Sequence, residues 1–367
     1  MAKQLRTRAT DLFGVDVPIV QTGMGWVSGA SLTSATAKAG GLGILASATM
    51  TMGELESAIN KVKSRTDRPF GVNLLPVQTD LVERIELMSR LGIPVASFAG
   101  APSPDVVARL NDLGITSIVT VGAKRHAEKM AGIGVSALIA QGGEGGGHTG
   151  SIPTSLLLPA VVDAVAGSDV VVLGAGGFFD GRGLVAALAW GADGIAMGTR
   201  FLLTAESHVP VDVKALYLQA GLTDTVVTES IDGAPQRVIR TEFIKALEHG
   251  VSRFPRAVSN AVKFARTTGQ SPLELAKTGL AMKKSQDLTL TQTALAANAP
   301  MMTKASMVDG RHEVGILPTG QVVGAIDSLP TVAEVLGNIV EEAMVGIDRL
   351  HSRYGVHETP TDKLSAG

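Results

Sequence analysis

The 367-residue chain has no cysteine, and this absence removes disulfides, thiolate metal sites, iron–sulfur clusters and cysteine nucleophiles together. Any redox chemistry must therefore be borrowed from a bound cofactor. An excess of one charge is also missing. With 32 Lys and Arg against 34 Asp and Glu, no overall field draws the chain to nucleic acid or to an anionic membrane surface. The expected partner is a small-molecule substrate, with no nucleic acid and no membrane; a homo-oligomer is left open. No apolar run stays free of Gly, Pro or charge for the length of a span, and the polar, charged stretch Met1–Asp11 lacks a signal-peptide core. The expected location is cytoplasmic. The seven histidines show no HxxxH or HxH spacing, which argues against a metal site, and neither GxxxxGK[ST] nor GxSxG occurs.

What the chain does have is 45% hydrophobic residues, enough to bury a large core, arranged in short apolar runs each followed by an amphipathic stretch. Eight such runs stand out: Ile19–Gln21, Leu42–Ala46, Phe70–Leu74, Val95–Phe98, Ser117–Val121, Ala137–Gln141, Val170–Ala175 and Gly194–Met197. Helices are expected at Leu55–Val62, Val82–Leu91, Val106–Leu113 and Leu184–Trp190. This strand-then-helix alternation predicts an α/β fold, a (β/α)8 TIM barrel, with a doubly wound open sheet as the competitor. Past Arg200 the pattern turns helical, without clear strands until Gly315–Ile326. The expected organisation is a barrel core over 1–205, a helical substrate or cap region over 206–330, and a C-terminal helix with its tail over 331–367. Between Pro235 and Lys284 stand ten Lys or Arg (Arg237, Arg240, Lys245, Arg253, Arg256, Lys263, Arg266, Lys277, Lys283 and Lys284) against three Glu. This basic cap suits either a phosphate-bearing substrate or a solvated helical face.

In such a barrel the chemistry sits just after each strand. The first run is followed by Thr22-Gly23-Met24-Gly25-Trp26, whose small residues let backbone N–H groups approach a flat ring or a phosphate. The third run carries Asn73, an amide that can donate and accept at a ring edge or cap the next helix. The sixth ends in Gln141-Gly142-Gly143-Glu144-Gly145-Gly146-Gly147-His148-Thr149-Gly150, where six glycines surround one acid and one histidine. His148 has no apolar pocket on so bare a loop, and no carboxylate partner is evident in the sequence. It is the candidate catalytic acid or base. For Glu144 a cap or salt bridge competes with catalysis. The seventh and eighth runs end in Gly174-Ala175-Gly176-Gly177 and Met197-Gly198-Thr199-Arg200, paired turns whose N–H groups and Thr199 hydroxyl suit a phosphate at helix starts. Asp180-Gly181-Arg182 is expected to begin a helix.

These segments, together with Val17–Met24, Gly40–Gly43, Phe70–Asn73, Gly174–Leu184, Gly191–Gly194 and Met197–Leu202, resemble the nitronate monooxygenase-like family over nearly the whole chain. This family, also called the 2-nitropropane dioxygenase family, comprises FMN-dependent barrel enzymes. The resemblance implies that Thr22, Gly23, Met24, Asn73, Gln141, Gly147, Gly176, Gly177, Gly198 and Thr199 hold FMN and that His148 is the catalytic histidine. Thr22 stands where many members carry proline, and Thr120 where some carry lysine beside the flavin, which implies a different electrostatic setting for the ring. Gln21–Trp26, Leu45–Met50 and Gln141–His148 are similar to a branch found in actinobacterial steroid degradation, which acts on hydroxylated acyl-CoA thioesters. That resemblance implies oxidation of a steroid-ring-derived hydroxyacyl-CoA, with His148 taking the hydroxyl proton and FMN the hydride. A CoA thioester is then the expected partner. The alternatives are nitronate oxidation, NAD(P)H-dependent reduction of a quinone or enoyl thioester, and a flavin- or phosphate-binding module without turnover.

Overall fold

The computed structural model describes residues 5–248 and 299–354. Its strands follow the apolar runs closely: β1 Ile19–Gln21, β2 Leu42–Ala46, β3 Phe70–Leu74, β4 Val95–Phe98, β5 Thr116–Val121 and β6 Ala137–Gln141. After a two-residue β7 at Gly147–His148 come β8 Val171–Ala175 and β9 Gly194–Met197. All but β7 are parallel and form a closed barrel, because β9 returns to β1 with Ile19 opposite Ile195 and Gln21 opposite Met197. That closure rules out the open doubly wound sheet.

Helices cover the barrel in turn: α1 Arg8–Phe13, α2 Ala30–Lys38, α3 Met52–Lys63, α4 Leu81–Arg90, α5 Pro104–Asp112, α6 Lys124–Gly132, α7 Thr154–Ala164 and α8 Gly181–Ala189. Their starts are written locally. Thr51 and Glu54 form a capping box on α3, an arrangement that contributes about 1 kcal/mol at a typical helix start. The Asp180 carboxylate accepts from Gly183 N at 3.0 Å, so Asp180-Gly181-Arg182 does open a helix. The lower end of the barrel is plugged by α1, whose Ala9 and Phe13 share one apolar cluster with Val20, Ile44, Ile118, Ile139 and Leu173. A bidentate ion pair from Arg8 to Asp193 fastens the plug, and Asp193 also accepts from Val172 N at 2.9 Å.

From Thr199 onward the described chain forms α9 Thr199–Leu202, α10 Val211–Gln219, strands β10 Thr225–Thr228 and β11 Gln236–Ile239, α11 Glu242–Glu248, α12 Ala299–Met307 and α13 Val332–Tyr354. Two expectations fail here. The stretch is not purely helical: β10, β11 and β7 make a separate antiparallel three-stranded sheet, missed because its strands are four residues or fewer and mix polar with apolar side chains. Conversely, Gly315–Ile326 forms no strand but one short 3-10 turn, Gln321–Ala325, and one isolated bridge, Val238 to Pro318, since Pro318 can donate nothing to a ladder. The last helix meets the barrel where Gly181 lets two backbones touch. A Cβ there would come within 2.6 Å of Ile339 O, and Gly181 N donates to Glu342 at 2.8 Å.

Candidate active site at the barrel mouth

Side chains alternate along a strand, so the inward cluster fixes which residues face the lumen. Val20, Leu42, Ile44, Val95, Ile118, Ile139, Leu173 and Ala196 belong to it and make an apolar interior. Two residues further on, at the C-terminal ends of the same strands, the inward positions are Thr22, Ala46, Ser97, Thr120, Gln141 and Gly198, with Asn73 on β3 in the same layer. The barrel is thus greasy below and polar at its mouth, where such folds carry their chemistry.

The first turn is built by hidden residues. The Ser28 hydroxyl accepts from Met24 N at 2.9 Å and donates to Thr22 O at 2.9 Å, and the fully buried Gln21 amide donates to Ser28 and to Ile44 O. This holds Thr22-Gly23-Met24 flat against the neighbouring strands. A Cβ on Gly23 would press on Asn73, within 2.9 Å of its Cγ, and one on Gly198 would lie 3.3 Å from Thr22 Oγ1 and 3.4 Å from Met24 Sδ. Four of the nominated residues therefore converge on one wall with Asn73, whose amide donates to Ser97 O at 3.2 Å.

The turn after the neighbouring strand β8 carries Gly176 and Gly177, at φ +95° and +84°, a left-handed pair that only glycine adopts without strain. Among the described residues, the N–H groups of Gly176, Gly177, Gly198 and Thr199 donate to no protein acceptor. Four unspent donors on adjacent turns fit a phosphate. The helix dipole adds little, since α9 is a single turn and Gly177 lies four residues ahead of α8. The Thr199 hydroxyl is already engaged, accepting from Gly320 N at 2.9 Å beside the Thr319 hydroxyl. As an acceptor there, the hydroxyl keeps its own hydrogen to donate.

His148 hangs over the mouth, with 65% of its side chain exposed. Gln141 reaches up to hold it, donating to His148 O at 2.7 Å. Sequence reasoning found no carboxylate partner for this histidine, and the structure corrects that: Nε2 lies 2.8 Å from Oδ2 of the buried Asp232, which also accepts from the Gln236 amide. Gln236 sits opposite His148 in the β7–β11 register.

The nitronate monooxygenase family model matches residues 6–342. The chain belongs to the nitronate monooxygenase family. It is 54% identical over 343 residues, 93% of this chain and 97% of the relative, to "(3aS,4S,5R,7aS)-5-hydroxy-7a-methyl-1-oxo-octahydro-1H-indene-4-carboxyl-CoA dehydrogenase" of Mycobacterium tuberculosis strain H37Rv. The dehydrogenase of the same name from Rhodococcus jostii RHA1 is 53% identical, covering 94% of this chain and 98% of its own. Among solved structures, FabK from Thermotoga maritima superposes with a TM-score of 0.77 at 30% identity, over 95% of this chain and 99% of its own. The protein is an oxidoreductase of this family.

Within this nitronate monooxygenase barrel, Glu144 takes the capping role: its carboxylate accepts from Thr154 N at 2.9 Å and the Thr154 hydroxyl at 2.7 Å, at the start of α7. A cleft of about 950 Å³ opens behind the glycine loop, lined by Gly143, Glu144, Thr149, Val227 and Arg237. It does not include Gly23, Asn73, Gly176 or Gly198. Arg237 faces it from the strand face opposite Gln236, gripping Gly143 O at 2.8 Å and Thr225 Oγ1 at 2.9 Å; burial holds its guanidinium below the ordinary arginine value. Of the basic segment, Arg237, Arg240 and Lys245 are described, and Lys245 pairs with Glu242. The other seven cations lie outside the described residues. No helix among the described residues is long and apolar enough to cross a membrane. Asp232, Gln236, Ser28 and Gly320 were not singled out from the sequence, because each acts through a partner scores of residues away or through a turn that spacing does not reveal.

Proposed function

We propose that the protein is an FMN-dependent dehydrogenase that oxidises a ring hydroxyl on a steroid-ring-derived acyl-CoA. The near full-length identity to two dehydrogenases named for such a substrate carries this reading. Residues at the mouth fit FMN: unspent N–H groups of Gly176, Gly177, Gly198 and Thr199 for its phosphate, and the flat Thr22-Gly23-Met24 turn with Asn73 for its ring. Gln141 and Gly147 complete that set by shaping the loop that carries His148. When bound, FMN supplies the hydride acceptor.

The chain's own residues do the rest. His148 takes the hydroxyl proton as the carbinol C–H is broken, and Asp232 and Gln141 hold the histidine. The basic residues of the cap region, most of them outside the described part, are candidates to meet CoA phosphates. The family model favours a second reading, nitronate oxidation, in which a small nitronate, already deprotonated at carbon, would give up an electron to bound FMN. The two part on a direct assay. With the holoenzyme and a dye acceptor, the hydroxy-indane-carboxyl-CoA should be turned over and propionate-3-nitronate should not; the reverse result would replace the first reading with the second. His148→Ala should retain FMN while turnover falls by about 10²–10⁴-fold.

A further inference from the structure

We infer that Asp232 is a positioning residue that fixes His148 as the Nε2–H tautomer and leaves Nδ1 as the nitrogen that accepts the substrate proton. This rests on the reading of His148 as the proton acceptor. Asp232 sits in the turn between β10 and β11 with its side chain 7% exposed, while the His148 side chain it contacts is 65% exposed. The two other neighbours of its carboxylate are donors, Ala234 N at 3.1 Å on Oδ1 and the Gln236 amide on Oδ2, and His148 Nε2 lies 2.8 Å from Oδ2. An ionised carboxylate accepts only, so Nε2 must carry the hydrogen.

Gln236 Nε2 lies 3.3 Å from His148 Nε2, but both are donors converging on one oxygen, so Gln236 holds the carboxylate rather than the ring. The pairing of Gln236 with His148 across β11 and β7 makes this cluster part of the sheet. Among the described residues, no other ionisable group is within ion-pair reach of the imidazole. Glu144 is turned to α7, and Arg237 projects from the other face of β11. Nδ1 has no hydrogen-bond partner among the described residues, on a side chain that is mostly exposed. With FMN bound as the hydride acceptor, Nδ1 would take the proton of the breaking substrate O–H bond as the carbonyl forms. The resulting imidazolium is balanced by a carboxylate already in contact, the division of labour seen in Ser-His-Asp hydrolases.

Two experiments test this. In the resting full-length protein, a long-range ¹H–¹⁵N spectrum, with His148→Gln identifying the signals, should show a protonated Nε2 and a bare Nδ1; the Nδ1–H tautomer overturns the inference. In Asp232→Asn, the acid limb of the kcat/KM pH profile should move to lower pH, because the imidazolium loses its counter-charge, and turnover at neutral pH should fall by about 10²–10⁴-fold. Asp232→Glu should recover part of it. An unmoved acid limb contradicts the inference, whereas a merely structural role would scale activity equally at all pH values. If the Asn variant does not fold, the spectrum of the unaltered protein decides. The spectrum is independent of substrate identity: Nε2–H without turnover of the CoA ester removes the functional reading alone, and Nδ1–H with turnover removes the inference alone.

Discussion

His148 Nε2 and Asp232 Oδ2 stand 2.8 Å apart although 84 residues separate them in the chain. The contact exists because β7, part of the loop that follows barrel strand β6, is captured by β11 from beyond the barrel. The candidate catalytic residue is thus held by two parts of the chain at once, and its placement depends on the backbone that joins them.

Gly147 is where that backbone bends, at φ +64°, next to open space. Gly147→Ala would meet no clash, but its left-handed conformation costs an L-residue about 1–2 kcal/mol. The expected outcome is retained flavin absorbance with a reduced kcat, measured by steady-state turnover against cofactor content.

Gly176 gives the complementary case. Gly176→Ala adds a Cβ within 2.9 Å of Thr154 Oγ1 at φ +95°, which displaces the N–H groups offered to the phosphate. The purified variant is expected to lose FMN while its far-ultraviolet circular dichroism stays that of a barrel. Full cofactor occupancy would place the phosphate elsewhere.

Glu144 separates a cap from a catalyst. Glu144→Ala leaves the first N–H of α7 without its acceptor, a loss that typically costs about 0.5–2 kcal/mol, readable as a lowered urea midpoint. Its kcat should stay within a small factor of the unaltered enzyme. A loss as deep as that of His148→Ala would assign Glu144 a chemical role instead.

Much of the fold was legible because the eight barrel runs are uninterrupted and apolar: six of them match their strands to the residue, and the other two differ by one residue at a single end. The polar mouth was legible too, since glycines closely follow several of those runs and Asn73 stands next to the end of the third. The small sheet was not. Gln236-Arg237-Val238-Ile239 has no alternation that separates it from a loop, and its pairing partner is a two-residue strand inside a glycine run. Missing that sheet meant missing Asp232, because only the β10–β11 turn carries this carboxylate to the histidine.

Lys214 offers a pH test of packing. Burial lowers its pKa from the usual 10.5, partly offset by Glu206, while its ammonium donates to Thr204 O and Ser207 O at 2.7 Å each. Between the lowered native value and 10.5 the unfolded chain binds more protons than the native one, so this group makes stability rise with pH across that window. Lys214→Met is expected to lose about 1–3 kcal/mol at neutral pH by stranding the two carbonyls, and to lose the alkaline rise. Urea unfolding followed from neutral to alkaline pH measures both.

The central claim is tested most directly by anaerobic titration of the purified holoenzyme, following the flavin band as the hydroxylated indane-carboxyl-CoA, an alkyl nitronate and NADH are added separately. Bleaching by the CoA ester alone is the expected result. Bleaching by the nitronate or by NADH with none by the CoA ester would contradict it, and the absence of any flavin band in the purified protein would remove FMN from the site.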